Sequence, residues 1–162
     1  MADVESDERH NEIDFAKPHS ARVWDAMQGG KNNYDIDRAA AAEWIEIDPG
    51  VEPYAKASRP FIRRVVRYLA GEGIRQFLDI GTGLPADQNT HEIAQAFAPE
   101  SRIVYVDDDP LVLTHARALL TNTTDEGVVS YIDADAHRPD EVISQARHIL
   151  NLREPVAVML MG

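Results

Sequence analysis

The 162-residue chain contains no cysteine. That excludes a disulfide framework, a thiolate metal site and a cysteine nucleophile. No stretch approaches the ~20 consecutive apolar residues of a membrane-spanning helix. The acid-rich start, with Asp3, Glu5, Asp7 and Glu8, is unlike the basic leader of a secretory signal. Bases are also scarce: 16 Lys and Arg stand against 28 Asp and Glu, a formal net charge of −12. A nucleic-acid-binding face normally carries the opposite sign, so no nucleic-acid partner is expected. The six histidines (His10, His19, His91, His115, His137 and His148) form no pair in the sequence. They therefore suggest no metal site, and no catalytic residue is assigned; His91 is the nearest candidate because it follows the glycine loop described below. With 44% apolar residues the chain has the material for one domain with a real core. A cytoplasmic protein with no membrane partner is expected.

The chain divides into three parts. Residues 1–17 are polar and acid-rich and read as a disordered lead-in. Residues 18–73 read as a helical segment, a lid or cap. Ser20 is placed to cap a short helix carrying Val23, Trp24 and Met27, which Gly29-Gly30 ends. A second helix is predicted from about residue 35 to 47, stopped by Pro49-Gly50. A third spans about residues 53–70, with Phe61, Val65, Tyr68 and Leu69 on one face and Arg59, Arg63, Arg64 and Arg67 around the rest. From 74 to 162 strands and helices alternate. Strands are expected over 75–80, 102–107, 128–132 and 155–161, and helices over 90–98, 110–120 and 139–150. That alternation means βαβ units and a doubly wound parallel sheet. The last strand is apolar throughout and stands exposed, as an edge or through an uncovered face. A second copy of the chain covering it is one expected partner.

The most informative stretches are Phe77-Leu78-Asp79-Ile80-Gly81-Thr82-Gly83 and Val104-Tyr105-Val106-Asp107. Each is an apolar run, as in a strand buried on both faces, with a carboxylate near its end. The glycines allow a sharp turn and a close approach to a ligand. An acid at the tip of the next strand, Asp107, is placed to accept hydrogen bonds from a ribose. Gly81-Thr82-Gly83-Leu84-Pro85-Ala86 formally fits the G-x-G-x-x-A dinucleotide fingerprint, which keeps a nicotinamide-dependent oxidoreductase as the alternative. Two details point elsewhere. In a dinucleotide site the helix starts within the glycine run so that its N-terminus faces the pyrophosphate. Here helical periodicity resumes only after Asn89, which forms an expected capping box with Glu92. Asp79 would also repel a pyrophosphate, whereas it suits a ligand with positive charge near the loop. Acid-x-Gly-x-Gly is the habit of class I S-adenosylmethionine-dependent methyltransferases.

Of the following acids, Asp109 before Pro110 reads as a helix N-cap, and Asp108 as an assistant to Asp107 or a solvated side chain. Ala134 and Asp135, after the third strand, are candidates for the adenine, with Asp133 as runner-up. Two turn acids near a helix start would look the same. Gly29-Gly30-Lys31 lacks the spacing of a phosphate loop.

A broader likeness runs through Ala21-Arg22-Val23-Trp24-Asp25, Gly29-Gly30-Lys31-Asn32-Asn33, Asp37-Arg38 and Arg59-Pro60-Phe61-Ile62-Arg63-Arg64. It continues through the glycine loop to Val104-Tyr105-Val106-Asp107 and Asp109-Pro110. These blocks resemble an actinobacterial S-adenosyl methyltransferase family long catalogued as a domain of unknown function. The resemblance implies a Rossmann-like fold of the class I methyltransferase type with its C-terminal half missing. It also implies S-adenosyl-L-methionine as cofactor, and Asp79, Gly81, Gly83 and Asp107 at that cofactor. Thr82, Asp108, Ala134 and Asp135 complete the expected set. Arg22, Lys31, Asn33 and Tyr34, jointed at Gly29 and Gly30, are the expected lid; the other reading is a helical layer packed on the sheet and anchored by Trp24. Family members run on past the fourth strand, so a fragment, a truncated gene product or a subunit of an assembly is expected. The methyl acceptor is expected to be a small molecule. A non-catalytic adenosyl-ligand-binding or assembly module remains the third reading.

Overall fold

Four short apolar strands form one parallel sheet in the order β3-β2-β1-β4: β1 (Gln76–Ile80), β2 (Arg102–Asp107), β3 (Val128–Asp133) and β4 (Ala157–Leu160). The computed structural model describes residues 14–161. The lead-in expected over residues 1–17 lies outside the described residues as far as residue 13. Beyond it, residues 15–17 turn, with Asp14 Oδ1 accepting from Ala16 N at 2.8 Å. The helices are α1 (Ser20–Met27), α2 (Asp35–Ile47), α3 (Val51–Gly71), α4 (Thr90–Phe97), α5 (Pro110–Leu119) and α6 (Pro139–Ala146). Strand winding reverses between β1 and β4. In open α/β sheets that reversal leaves a crevice outside the carboxyl ends of the two strands.

Period-two alternation sorts the strand side chains onto two faces. Phe77, Ile103, Tyr105 and Met159 are buried on one, under Val66 and Ala70 of α3, Ile93 and Ala94 of α4 and Ala116 of α5. Leu78, Val104, Val106 and Ile132 are buried on the other, against Val142 and Ala146 of α6. Helices therefore lie on both sides of the sheet, as a doubly wound fold requires. At the β4 edge Val158 and Leu160 stay exposed, at 59% and 71%, in line with the expectation for that strand.

Local signals place most helix ends. Asp109 caps α5, its Oδ1 accepting from Leu111 N at 2.8 Å, with Pro110 in the first turn. Glu92 reaches back to accept from Asn89 N at 2.6 Å, half of the capping box that starts α4. Two expectations need correction. His19, not Ser20, is the N-cap of α1, and Ser20 is its first helical residue. The inward face of α3 is marked by Ala55, Ser58, Val66 and Ala70, whereas Phe61 and Tyr68 face outward. Small side chains let α3 lie close to its neighbours, which the larger aromatics would prevent. A third difference is smaller: α6 stops at Ala146, short of the expected end near residue 150.

The N-terminal helices carry their own core of Val23, Met27, Ala41 and Ala55. Their centre is an ion pair withdrawn from water: Arg22 is 1% exposed, Asp37 fully buried, and Nε lies 2.9 Å from Oδ2. Burial pushes the Asp37 carboxyl up. The N–H groups of Tyr34 (2.9 Å) and His19 (3.0 Å), with Arg22, outweigh it and hold the group below its ordinary value. Arg22 Nη2 also donates to Lys17 O at 2.6 Å and Asp14 O at 3.2 Å. Removing one partner leaves a buried charge without compensation. Asp37→Ala is accordingly expected to cost about 3–5 kcal/mol in urea unfolding, and the apolar pair Arg22→Met with Asp37→Leu far less.

Candidate functional site

The alternation that buries Phe77 under α3 and α4 sends Asp79 to the same side, one step from the end of β1. Asp79 is 7% exposed, and its Oδ2 accepts from Thr90 Oγ1 at 2.7 Å, the first residue of α4. Burial pushes its carboxyl up to about 6; the Thr90 hydroxyl and the Arg59 guanidinium oppose that, and Asp107 adds to it. A buried carboxylate with a single hydroxyl donor is incompletely compensated and favours an approaching cation.

After β1 the chain turns through Gly81 and Gly83, at φ +68° and +63°. A side chain is strained in that region, and a Cβ built at either position would meet nothing within 4 Å. The loop thus offers bare backbone to open space. It folds back onto β2: Gly81 N donates to Val106 O at 2.9 Å and Gly83 N to Asp107 Oδ2 at 3.0 Å. The other Asp107 oxygen accepts from Asp109 N at 3.0 Å. Burial raises the Asp107 carboxyl against these two N–H groups, and the Asp109 and Asp108 carboxylates add to the rise. Each oxygen keeps a lone pair for a further donor.

These groups line a cavity of about 340 Å³ at the β1–β4 reversal. Asp79, Gly81, Thr82, Gly83, Asp107 and Asp108 form its floor, and Trp24, Trp44 and Met161 contribute apolar wall. Helix α1 is the roof. It is seated by Ala21 against Leu84, Leu111 and Val112, and His19 Nδ1 stands 2.9 Å from Asp109 Oδ2. Arg59, half-buried on α3, lines the cavity and donates from Nη2 to Leu84 O at 2.7 Å. Burial draws its guanidinium down from the ordinary value, and the Asp79 charge pulls the other way.

The structure thus brings six of the eight expected cofactor residues to one cavity. Ala134 and Asp135 are not among its lining. Ala134 is buried beneath α6, its N donating to Asp107 O at 3.3 Å. The Asp135 Oδ1 is taken up by His137, through N and Nδ1 at 2.8 Å each. None of the expected lid residues lines the cavity either. Arg22 is spent on Asp37, and its guanidinium lies over the Tyr34 ring, 5.4 Å from the centroid. Lys31 is exposed. The Gly29-Gly30-Lys31-Asn32-Asn33 block instead builds the corner between α1 and α2. Asp25 Oδ2 accepts from Asn32 N at 2.9 Å and Asn33 Nδ2 at 2.8 Å. A Cβ on Gly30 would fall 2.1 Å from Asp25 Oδ1, so a side chain there would push that carboxylate off its hydrogen bonds to Asn32 and Asn33. His91 lies in the core, its Nδ1 2.9 Å from Tyr105 Oη, and burial lowers its pKa. Sequence reasoning did not single out Arg59, Trp44 or His19 for the site. Arg59 was within reach of it, since it adjoins Ser58 on the small-residue stripe of α3.

No curated protein matches the chain. A family model described as S-adenosyl methyltransferase matches residues 6–162. Among solved structures, a DUF574-family protein from Streptomyces avermitilis MA-4680 is 45% identical, with a TM-score of 0.84 over 91% of this chain and 57% of its own. A candidate methyltransferase from Thermobifida fusca YX is 47% identical, with a TM-score of 0.81 over 92% of this chain and 56% of its own. Both organisms are actinobacteria. The chain therefore spans less than two thirds of the length of either relative. With a model match along nearly its whole length and two such neighbours, the chain belongs to the S-adenosyl methyltransferase family.

Proposed function

We propose that this cavity binds S-adenosyl-L-methionine and that the protein transfers the methyl group to a small-molecule acceptor. The observation that carries the reading is the pairing of two differently held carboxylates around one glycine loop. Asp107, fixed by two backbone N–H groups, is set to accept from the ribose hydroxyls. Asp79, held by Thr90 alone, is set to receive the α-ammonium. The bare backbone of Gly81 and Gly83 lets the ligand lie against the loop. When bound, the cofactor supplies an electrophilic methyl group on a sulfonium. Trp24 and Trp44 offer apolar surface in the same cavity, which would suit displacement at carbon.

A nicotinamide dinucleotide fits the same residues poorly. Helix α4 begins only at Thr90, so its N-terminus is not supplied by the glycine run, and Asp79, Asp107 and Asp108 would all face a pyrophosphate. Titration calorimetry with S-adenosylhomocysteine, S-adenosylmethionine and NAD tests the choice. Both adenosyl ligands are expected to bind and NAD is not; the reverse result would sink the reading. Asp107→Asn is expected to weaken S-adenosylhomocysteine roughly 10- to 100-fold, as loss of a charge-assisted acceptor does. Adenosyl binding without methylation of any tested extract would favour the non-catalytic module.

Asp79 gives the site a pH dependence. In the free protein its carboxyl sits near 6, and an ammonium ligand selects the ionised form. Affinity is therefore expected to be level above that pH and to fall about tenfold per unit below it, until the carboxyl of the complex itself protonates. Stability runs the other way. Between the ordinary 3.8 and about 6 the native state binds more protons than the unfolded chain, so the Asp79 contribution to stability declines as pH rises through that window. Asp79→Asn is expected to raise the unfolding free energy at pH 7.5, by at most about 3 kcal/mol, while weakening S-adenosylhomocysteine. Calorimetry and thermal melts at pH 5 and 7.5 read both effects.

A further inference from the structure

We infer that Arg59 and Asp79 act together as a clamp for a zwitterionic α-amino acid group, Arg59 taking the carboxylate and Asp79 the ammonium. The inference rests on the adenosyl-donor reading above and names how the amino-acid end of that donor is held.

Arg59 and Asp79 line the same cavity from two different elements, α3 and β1. Both are drawn out of water, and each charge is felt by the other. Yet among the described residues they form no direct ion pair. Asp79 is bonded to Thr90 and Arg59 to the Leu84 carbonyl. A guanidinium carries five N–H donors in a planar fork. Here that fork is anchored through one nitrogen, and no second hydrogen bond from it forms among the described residues. Its other N–H groups are left free for a ligand in the cavity it lines, and a carboxylate matches the fork.

The other arginines of α3 do not compete for that anion. Arg63 reaches the Asp87 carbonyl at 3.3 Å, and Arg64 lies over the Phe61 ring, 5.8 Å from its centroid. Neither of them lines the cavity, and nor does Arg67. Arg59 is also held in place. Next to it, Ser58 Oγ accepts from Gln28 Nε2 at 3.0 Å and donates to Ala55 O at 2.8 Å. That ties α3 to the roof helix beside the guanidinium. A direct Arg59–Asp79 ion pair would cancel both charges within the protein. Holding them apart leaves one of each sign for a ligand that carries both.

The test crosses a protein change with a ligand change. Wild type, Arg59→Met and Arg59→Lys are titrated with S-adenosylhomocysteine, with its decarboxylated analogue (ammonium retained) and with 5′-methylthioadenosine (neither group). Wild type is expected to prefer S-adenosylhomocysteine over the decarboxylated analogue by at least tenfold. Arg59→Met is expected to lose roughly 10- to 100-fold for S-adenosylhomocysteine, with less than a twofold change for the other two ligands, and Arg59→Lys to recover part of the loss. Equal losses for all three ligands, or none for S-adenosylhomocysteine, would overturn the clamp and leave the donor reading standing. Binding of none of the three by wild type would overturn both. Should Arg59→Met fail to fold, the wild-type preference still decides: equal affinity for the acid and its decarboxylated analogue rejects the clamp.

Discussion

Keeping a carboxylate at position 79, on the face of β1 where Phe77 makes core, is the constraint around which the site is organised. An anion there loses its hydration and gains a single hydroxyl donor from Thr90. That donor is available only because α4 starts where it does, and the start is set by Asn89 and Glu92. The long passage from Gly83 to Thr90 is thus the spacing that brings a hydroxyl under a buried acid. An apolar residue at this position would cost less, so its cost points to a role that only a charge fills.

Asp107 shows the opposite treatment of the same chemical group. Both its oxygens are engaged by backbone N–H groups that the glycine loop and the start of α5 supply. Its orientation is therefore fixed before any ligand arrives, which lowers the ordering cost of binding. Three other acids have structural parts. Asp25 shapes the corner between α1 and α2, Asp37 neutralises Arg22, and Asp109 caps α5. The strong negative charge of the chain is in part a set of carboxylates used as hydrogen-bond acceptors for the backbone.

Much of this was legible in the sequence because it rests on local rules. The strand runs, the Asp109-Pro110 start and the Asn89–Glu92 box depend on neighbours a few residues away. The floor of the cavity was legible too, since Asp79, the two glycines and Asp107 lie at adjacent strand tips. What failed was long-range. The expected inward face of α3 carries Phe61, Val65, Tyr68 and Leu69; of these Leu69 packs on the core, while close packing selects Ala55, Ser58 and Ala70 and brings Arg59 to the cavity. The block from Gly29 to Asn33 reads as a lid motif in the sequence, and in the structure Asp25 holds it as a corner. His19 and Asp109 lie far apart in the chain, and nothing in either segment announces their contact. A distinctive motif marks a demanding local geometry, which need not touch a ligand.

The roof, the helix that carries Arg59 and the glycine loop meet at Leu84. Its side chain is buried against Leu111 and Val112 and receives Ala21 of α1, and its carbonyl accepts from Arg59. Leu84 directly follows Gly83, whose N–H is bonded to Asp107. The loop, the roof helix and α3 are therefore joined at this point through packing and two hydrogen bonds. Helix α1 is also tied to α2 through the buried pair of Arg22 and Asp37. The cover of this cavity is a helical layer joined to the loop at Leu84, with Gly29 and Gly30 in the corner between α1 and α2.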